Sequence, residues 1–425
     1  MEHERVGTRA WVLHPELKSD SHRRDPAPAL DEAMALAAAL PGLDVIGGEV
    51  VRLSRAHPGL LFGTGKIDEL AGRLAANEIG LVLIDGPVSP VQQRNLEKKW
   101  AVKILDRTGL ILEIFSDRAA TREGVLQVEM AALSYQRTRL VRAWTHLERQ
   151  RGGLCFVGGP GETQIEADRR AIDDQLVRLK RQLEKVVKTR ELHRAARARV
   201  PYPVVALVGY TNAGKSTLFN RLTGAEVMAR DMLFATLDPT MRRVVLPDGP
   251  EVILSDTVGF ISDLPTELVA AFRATLEEVL AADLIVHVRD ISHPGTAAQA
   301  RDVEAVLSAL GVDEDRARIE VWNKLDRLGA EARDATLARA ARENGVYAIS
   351  AVTGEGLDAL LAGIARALQD VRHETCLHLR FDEGRRRAWL YEQELVREES
   401  QSETGFDITV QWSARQEEKF AALRG

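Results

Sequence analysis

One octapeptide constrains this chain more than any other part of it: Gly209-Tyr210-Thr211-Asn212-Ala213-Gly214-Lys215-Ser216, which satisfies G-x-x-x-x-G-K-[S/T]. It follows the apolar run 204–208 and precedes the helix-like stretch 217–222, and only in that strand–loop–helix setting does the pattern carry meaning. The glycines let backbone N–H groups curl round phosphates, and the helix N-terminus adds a favourable field. Lys215 is then expected to bridge β- and γ-phosphates and Ser216 to ligate Mg2+ through its hydroxyl, with Thr217 also among the nucleotide-binding residues. Around this loop, apolar runs at 204–208, 243–246, 252–255, 284–288, 319–322 and 346–349 alternate with helical patterns. That alternation predicts a doubly wound, mostly parallel α/β sheet over residues 201–372.

Four further motifs lie downstream. Asp256-Thr257-Val258-Gly259 ends a predicted strand beside the loop, where the carboxylate of Asp256 can hold a metal-bound water and Gly259 can offer its N–H to the γ-phosphate. Between the two, Phe234-Ala235-Thr236-Leu237-Asp238 places Thr236 in a polar loop able to reach the metal, with Thr240 as a competing candidate. Asn323-Lys324-Leu325-Asp326 follows another apolar strand. An Asp there accepts two hydrogen bonds from guanine N1–H and N2–H2, a donor pair that adenine lacks, so the sequence points to GTP over ATP. Asn323 is expected to brace the phosphate loop and Lys324 to lay its stem against the base. Ser350-Ala351-Val352 is expected to bring a backbone N–H to guanine O6. Lys215, Thr236, Asp256 and Gly259 are the expected catalytic set, and Ser216 and Thr236 the metal ligands.

The rest of the chain is organised differently. Residues 1–120 predict a small α/β unit, with helices at 31–40 and 66–77 and strands at 44–53 and 80–85. Residues 121–200 predict two long helices, 123–150 and 162–199, joined by a glycine-rich connector over 151–161 with a mobile tip. From Arg137 to Arg199 there are 16 Lys/Arg against 8 Asp/Glu, although the whole chain carries a net charge of −6, so positive charge is concentrated on this pair. Residues 373–425 predict a small α+β tail with strands at 375–381 and 407–412 and a helix at 386–396. The two cysteines, Cys155 and Cys376, lack metal-ligand spacing, and no stretch approaches the length of a spanning helix. A cytoplasmic, monomeric protein without a membrane span is expected.

Beyond the generic motifs, the strings Leu147 to Gly153, Gly158 to Glu166, Leu233 to Thr240, Phe62 to Lys66 and Asp256 to Phe260 are family-like, and with them the chain resembles the HflX family of ribosome-associated GTPases over most of residues 10–372. The resemblance implies an N-terminal α/β domain and helical hairpin that dock on the large ribosomal subunit and its RNA, with the tip residues Arg149, Arg151, Gly152 and Gly153 in contact. It also implies that stalled ribosomes are split in the GTP state. A GTPase acting in subunit assembly and a nucleotide-gated RNA-binding module with little catalysis are the rival readings. Phe260 stands where many GTPases place a water-orienting Gln, which predicts slow intrinsic hydrolysis. Asn212 matches the residue of cation-stimulated relatives and implies K+ as a further cofactor. Phe62-Gly63-Thr64-Gly65-Lys66 reads either as a tight turn or RNA-backbone contact, or as a second phosphate cradle.

Overall fold

The computed structural model describes residues 7–18, 25–150, 160–197, 202–225, 233–234, 240–247, 251–262, 277–312, 316–368, 373–393, 395–402, 404–412, 416–417 and 420–421. The chain divides into two compact units, Met1–Leu361 and Ala362–Gly425.

The first unit begins with a four-stranded parallel sheet in the order β2-β1-β3-β4, from β1 (Thr8–Leu17), β2 (Leu43–Leu53), β3 (Leu81–Ile84) and β4 (Lys103–Asp106). Its helices are α1 (Pro26–Ala38), α2 (Thr64–Ala76), α3 (Pro90–Trp100) and α4 (Arg107–Arg118). Strand alternation assigns the faces. Val12 and Leu83 join one core with Ala33 and Leu36 of α1 and Ile111 and Ile114 of α4. Leu13, Val82 and Ile84 join the other with Ile67, Leu70 and Leu74 of α2 and Leu96 and Trp100 of α3. The sheet is therefore covered on both sides, as parallel sheets require.

Next come α5 (Arg122–Gln150) and α6 (Pro160–Arg197), of 29 and 38 residues. Arg137 pairs with Asp173 across them at 2.8 Å. Tyr135 and Arg139 of α5 bond Asp106, the N-cap of α4, at 2.5 and 3.0 Å, which fixes the base of α5 on the N-terminal sheet. Pro160 and Gly161, assigned from sequence to the connector, instead open α6, where a proline at the first turn forfeits no hydrogen bond. The connector's other residues, 151–159, lie outside the described residues, and so does the expected mobility of its tip.

The second sheet has the order β10-β9-β8-β5-β7-β6, from β5 (Val204–Gly209), β6 (Thr240–Val245), β7 (Glu251–Asp256), β8 (Leu284–Asp290), β9 (Arg318–Asn323) and β10 (Val346–Ala348). Only β6 runs antiparallel, so this is the mostly parallel, doubly wound sheet expected. Its helices are α7 (Lys215–Thr223), the single turn α8 (Glu277–Leu280), α9 (Thr296–Ala309), α10 (Ala330–Ala340) and α11 (Leu357–Leu368).

The second unit carries an antiparallel sheet of β11 (His373–Arg380), β12 (Val396–Gln401) and β13 (Gly405–Trp412), in the order β11-β13-β12, with α12 (Gly384–Glu392). Leu379, Leu390, Ile408, Val410 and Trp412 form its core. The helix expected over 386–396 stops at Glu392, and Val396 starts β12, a charged edge strand whose register slips between Val396 and Glu398.

Candidate functional site

In the six-stranded sheet β5 lies between β8 and β7, which places its C-terminal end at the switch point of the strand order. Open α/β sheets form their ligand crevices at such points. The loop Gly209–Ser216 leaves β5 there and enters α7 without a side-chain N-cap. Gly214 has φ +94°, and a Cβ on it would fall 2.2 Å from the Asn323 amide nitrogen, so only glycine lets the loop and the Asn323 motif meet. Asn212 also takes a left-handed conformation, φ +59°.

Lys215 is buried, and its ammonium donates to the carbonyls of Gly209 (3.1 Å) and Tyr210 (2.8 Å). Burial lowers its pKa to about 8, with the attraction of Asp256 opposing and the repulsion of Lys324 assisting. Among the described residues no carboxylate forms an ion pair with it. Ser216 donates to Asp256 at 2.7 Å, which joins a hydroxyl and a carboxylate at the start of α7, a hard-oxygen pair of the kind Mg2+ takes. Thr257 donates to the Leu207 carbonyl at 2.6 Å. The Thr211 hydroxyl is buried with no hydrogen-bond partner among the described residues. Gly259 sits so close to the loop that a Cβ there would meet Thr211 Cγ2 at 2.8 Å and Lys215 Nζ at 3.1 Å.

On the far side of the crevice, the Asn323 amide donates to the Ala213 carbonyl at 2.8 Å. Lys324 pairs with Asp290 at 2.8 Å, and Asp326 accepts from Ser350 Oγ at 2.5 Å. Ser350 and Ala351 follow β10, and the Ala351 N–H, one of the motif's backbone donors, donates to Asn323 Oδ1 at 3.0 Å. Val352 is exposed. The structure thus brings the residues of 209–217, 256–259, 323–326 and 350–351 together at one end of the sheet.

Phe234 is buried and packs edge-on against Phe115, while Ala235, Thr236, Leu237 and Asp238 lie outside the described residues. Thr240, the alternative to Thr236, is the first residue of β6 and the register partner of Asp256. Phe260 is fully buried in the core shared by both sheets, so it packs instead of facing the crevice. Arg149 ends α5 within its last turn, and Arg151, Gly152 and Gly153 lie outside the described residues.

Sequence reasoning missed Glu32 and Ser262, which bond the Tyr210 hydroxyl, and Arg107, which bonds Glu32 and the Ser262 carbonyl. Their partners are up to 178 positions away, and no local pattern signals them.

The chain matches four family signatures: GTP-binding GTPase N-terminal over residues 27–116, GTP-binding GTPase middle region over 118–197, 50S ribosome-binding GTPase over 204–324, and HflX C-terminal domain over 335–422. It is 52% identical over 357 residues to the GTPase HflX of Magnetococcus marinus, covering 84% of this chain and 81% of that one. To the GTPase HflX of Escherichia coli it is 42% identical over 400 residues, covering 94% and 92%. A solved structure of a GTP-binding protein from Sulfolobus solfataricus in complex with GDP is similar at 20% identity and a TM-score of 0.45, over 84% of this chain and 98% of that one. With the two HflX relatives covering 84% and 94% of its length, and with the four motifs converging on one crevice, the chain belongs to the HflX family of GTPases and is a P-loop GTP hydrolase.

Proposed function

We propose that this GTPase binds the large ribosomal subunit, separates stalled ribosomes while GTP is bound, and resets on hydrolysis. In this reading the loop N–H groups and Lys215 hold the phosphates, and Asp326 selects guanine by accepting both of its edge donors. Ser216 and Thr236 would hold Mg2+, with Asp256 beside Ser216 to accept from its water. Bound there, Mg2+ would supply positive charge to offset the negative charge that develops in the transition state. Gly259 would offer its N–H to the γ-phosphate, and Asn212 would help hold K+ near the same oxygens, where positive charge stabilises the transition state.

The observation that carries the nucleotide half is the buried Lys215, whose ammonium has only carbonyl partners among the described residues. A charge that costly to bury is retained where an anion arrives to compensate it. The ribosome half rests on the basic helical pair. α5 and α6 would extend about 44 and 57 Å at 1.5 Å per residue, long enough to carry a tip far from the GTPase sheet. Their positive charge suits structured RNA, whose phosphates dominate affinity. The signature match to a 50S ribosome-binding GTPase over residues 204–324 supports the same partner.

The test is to incubate intact ribosomes with the protein and a non-hydrolysable GTP analogue and then sediment them. Free subunits support splitting. Intact ribosomes, with the protein bound only to immature large subunits, support the assembly reading instead.

A further inference from the structure

Phe260 leaves the attacking water without the Gln that orients it in many GTPases. Its ring has no polar atom and is packed in the core, 1% exposed. Around the phosphate loop most hydroxyls are already engaged. Tyr210 donates to Glu32 at 2.5 Å, Ser216 to Asp256 at 2.7 Å, Thr257 to the Leu207 carbonyl at 2.6 Å and Ser262 to Asp302 at 2.6 Å. Thr211 differs from these four. It is 5% exposed, and its Oγ1 is buried with no hydrogen-bond partner among the described residues.

Thr211 also borders the space that a terminal phosphate would enter. A Cβ on Gly259 would fall 2.8 Å from Thr211 Cγ2, 2.9 Å from Thr211 Cα and 3.1 Å from Lys215 Nζ, so the threonine, the glycine and the ammonium surround one small volume. The Thr211 N–H donates to the Phe260 carbonyl at 2.7 Å, and the Phe260 N–H donates to the Gly209 carbonyl at 3.1 Å, which fixes the backbone that carries the hydroxyl. A β-branched side chain on a fixed backbone has few rotamers to choose from. A buried hydroxyl without a partner costs stability, and a catalytic role is one of the reasons such a group is retained.

We propose that Thr211 is a catalytic residue of GTP hydrolysis, its hydroxyl accepting a hydrogen bond from the attacking water while donating its own hydrogen to a γ-phosphate oxygen. The proposal rests on the nucleotide reading of the loop. A threonine hydroxyl carries one donor and two acceptor lone pairs, so it can serve both partners at once. As the water oxygen forms its bond to the γ-phosphorus, the bond from that phosphorus to the β,γ-bridging oxygen breaks, and its electron pair leaves with GDP. The proton shed by the water ends on the released phosphate. Thr211 is unchanged by the step and contributes by orienting the water before it attacks.

Thr211→Val keeps the shape of the side chain and removes only the hydroxyl. In the full-length protein without ribosomes, single-turnover hydrolysis at saturating GTP should fall about tenfold to a hundredfold, the scale of losing one well-placed polar group in the transition state. Affinity for a fluorescent non-hydrolysable GTP analogue should stay within about twofold of the parent, since the water contact is made only on the way to the transition state. The nucleotide-free protein should melt no lower than the parent, because valine removes a buried polar group that has no partner. Thr211→Ser, which restores the hydroxyl, should recover most of the lost rate. Should Thr211→Val not fold, Thr211→Ala against Thr211→Ser makes the same comparison. Hydrolysis by the valine variant within about twofold of the parent would overturn the proposal, as would a loss of analogue affinity as large as the loss of rate, or a serine variant as slow as the valine one. If Lys215→Ala binds the analogue as well as the parent does, the reading of the phosphate loop fails. If it does not while Thr211→Val hydrolyses normally, only the role of Thr211 fails.

Discussion

Two loops in the first unit present Gly-Lys at the start of a helix, and the difference between them separates a turn from a site. At Gly214-Lys215 the strand feeds directly into the loop, the helix start is uncapped, and the ammonium has carbonyl partners only among the described residues. At Gly65-Lys66 the helix start is also uncapped, and a cavity of about 680 Å3 opens beside it, lined by Arg52, Arg55 and His57 among others. Yet Lys66 is already spent: it pairs with Glu49 at 2.9 Å and with Glu69 at 2.8 Å. Electrostatics divide the two in the same way. Burial lowers Lys215 to about 8, whereas for Lys66 partial burial is outweighed by the bonds to Glu69 and Glu49, which raise it. Glycines and a lysine at a helix start make a phosphate site only where the lysine's charge is left for the ligand.

The comparison can be broken most decisively at the lysines. Lys215→Ala should cut GTP turnover by about a hundredfold or more, the scale of losing a preorganised charge at the reacting phosphate. Lys66→Ala should leave turnover within about twofold and cost less than about 1 kcal/mol of stability, since its partners are only partly buried. Equal losses in the two variants would erase the distinction.

Base selection should show nearly as large an effect. Asp326→Asn should exchange GTP preference for xanthosine triphosphate preference by on the order of a hundredfold, read by competition binding. Retained GTP affinity would remove Asp326 from the base site. A smaller effect, several-fold, should follow pH. Because Lys215 is lowered in the folded protein from 10.5 to about 8, the folded state sheds this proton before the unfolded chain does. Its burial cost is therefore fully present below about 8, and nucleotide-free stability should rise from there towards 10.5. GTP affinity, which needs the ammonium, should fall over the same window, and Lys66 should add nothing to that fall. Flat affinity across it would contradict the assigned role of Lys215. The smallest expected effect is a few-fold faster hydrolysis in K+ than in Na+, abolished by Asn212→Ala, and equal rates in the two salts for the parent would end the K+ reading.

How much of this was legible depended on whether the signal was local. The strands flanking the phosphate loop and Asp256 read correctly because each is a short apolar run closed by its motif, and the doubly wound sheet followed from their alternation with helices. α3 went unread although its capping box, Ser89 with Gln92 behind Pro90, is a sequence signal, because the helix body is strongly polar. β12 went unread, with only its first residue, Val396, taken as the end of a helix, because Val396-Arg-Glu-Glu-Ser-Gln401 has the charges that protect an edge strand. Asn323 was read as bracing the loop, but its second bond, which engages the Ala351 N–H, depends on the path of the chain after β10. Glu32, Arg107 and Ser262 were beyond reach, since only the packing of the two sheets brings α1, α4 and the segment after β7 to Tyr210.

The most direct measurement is the stoichiometry of nucleotide bound per chain, by equilibrium titration with GTP and with ATP, for the parent, Lys215→Ala and Lys66→Ala. The account predicts one GTP per chain and no ATP site in the parent, none in Lys215→Ala, and one GTP in Lys66→Ala. A nucleotide that remains bound in Lys215→Ala and disappears in Lys66→Ala would contradict it, by placing a second phosphate site at a lysine whose charge two glutamates already hold.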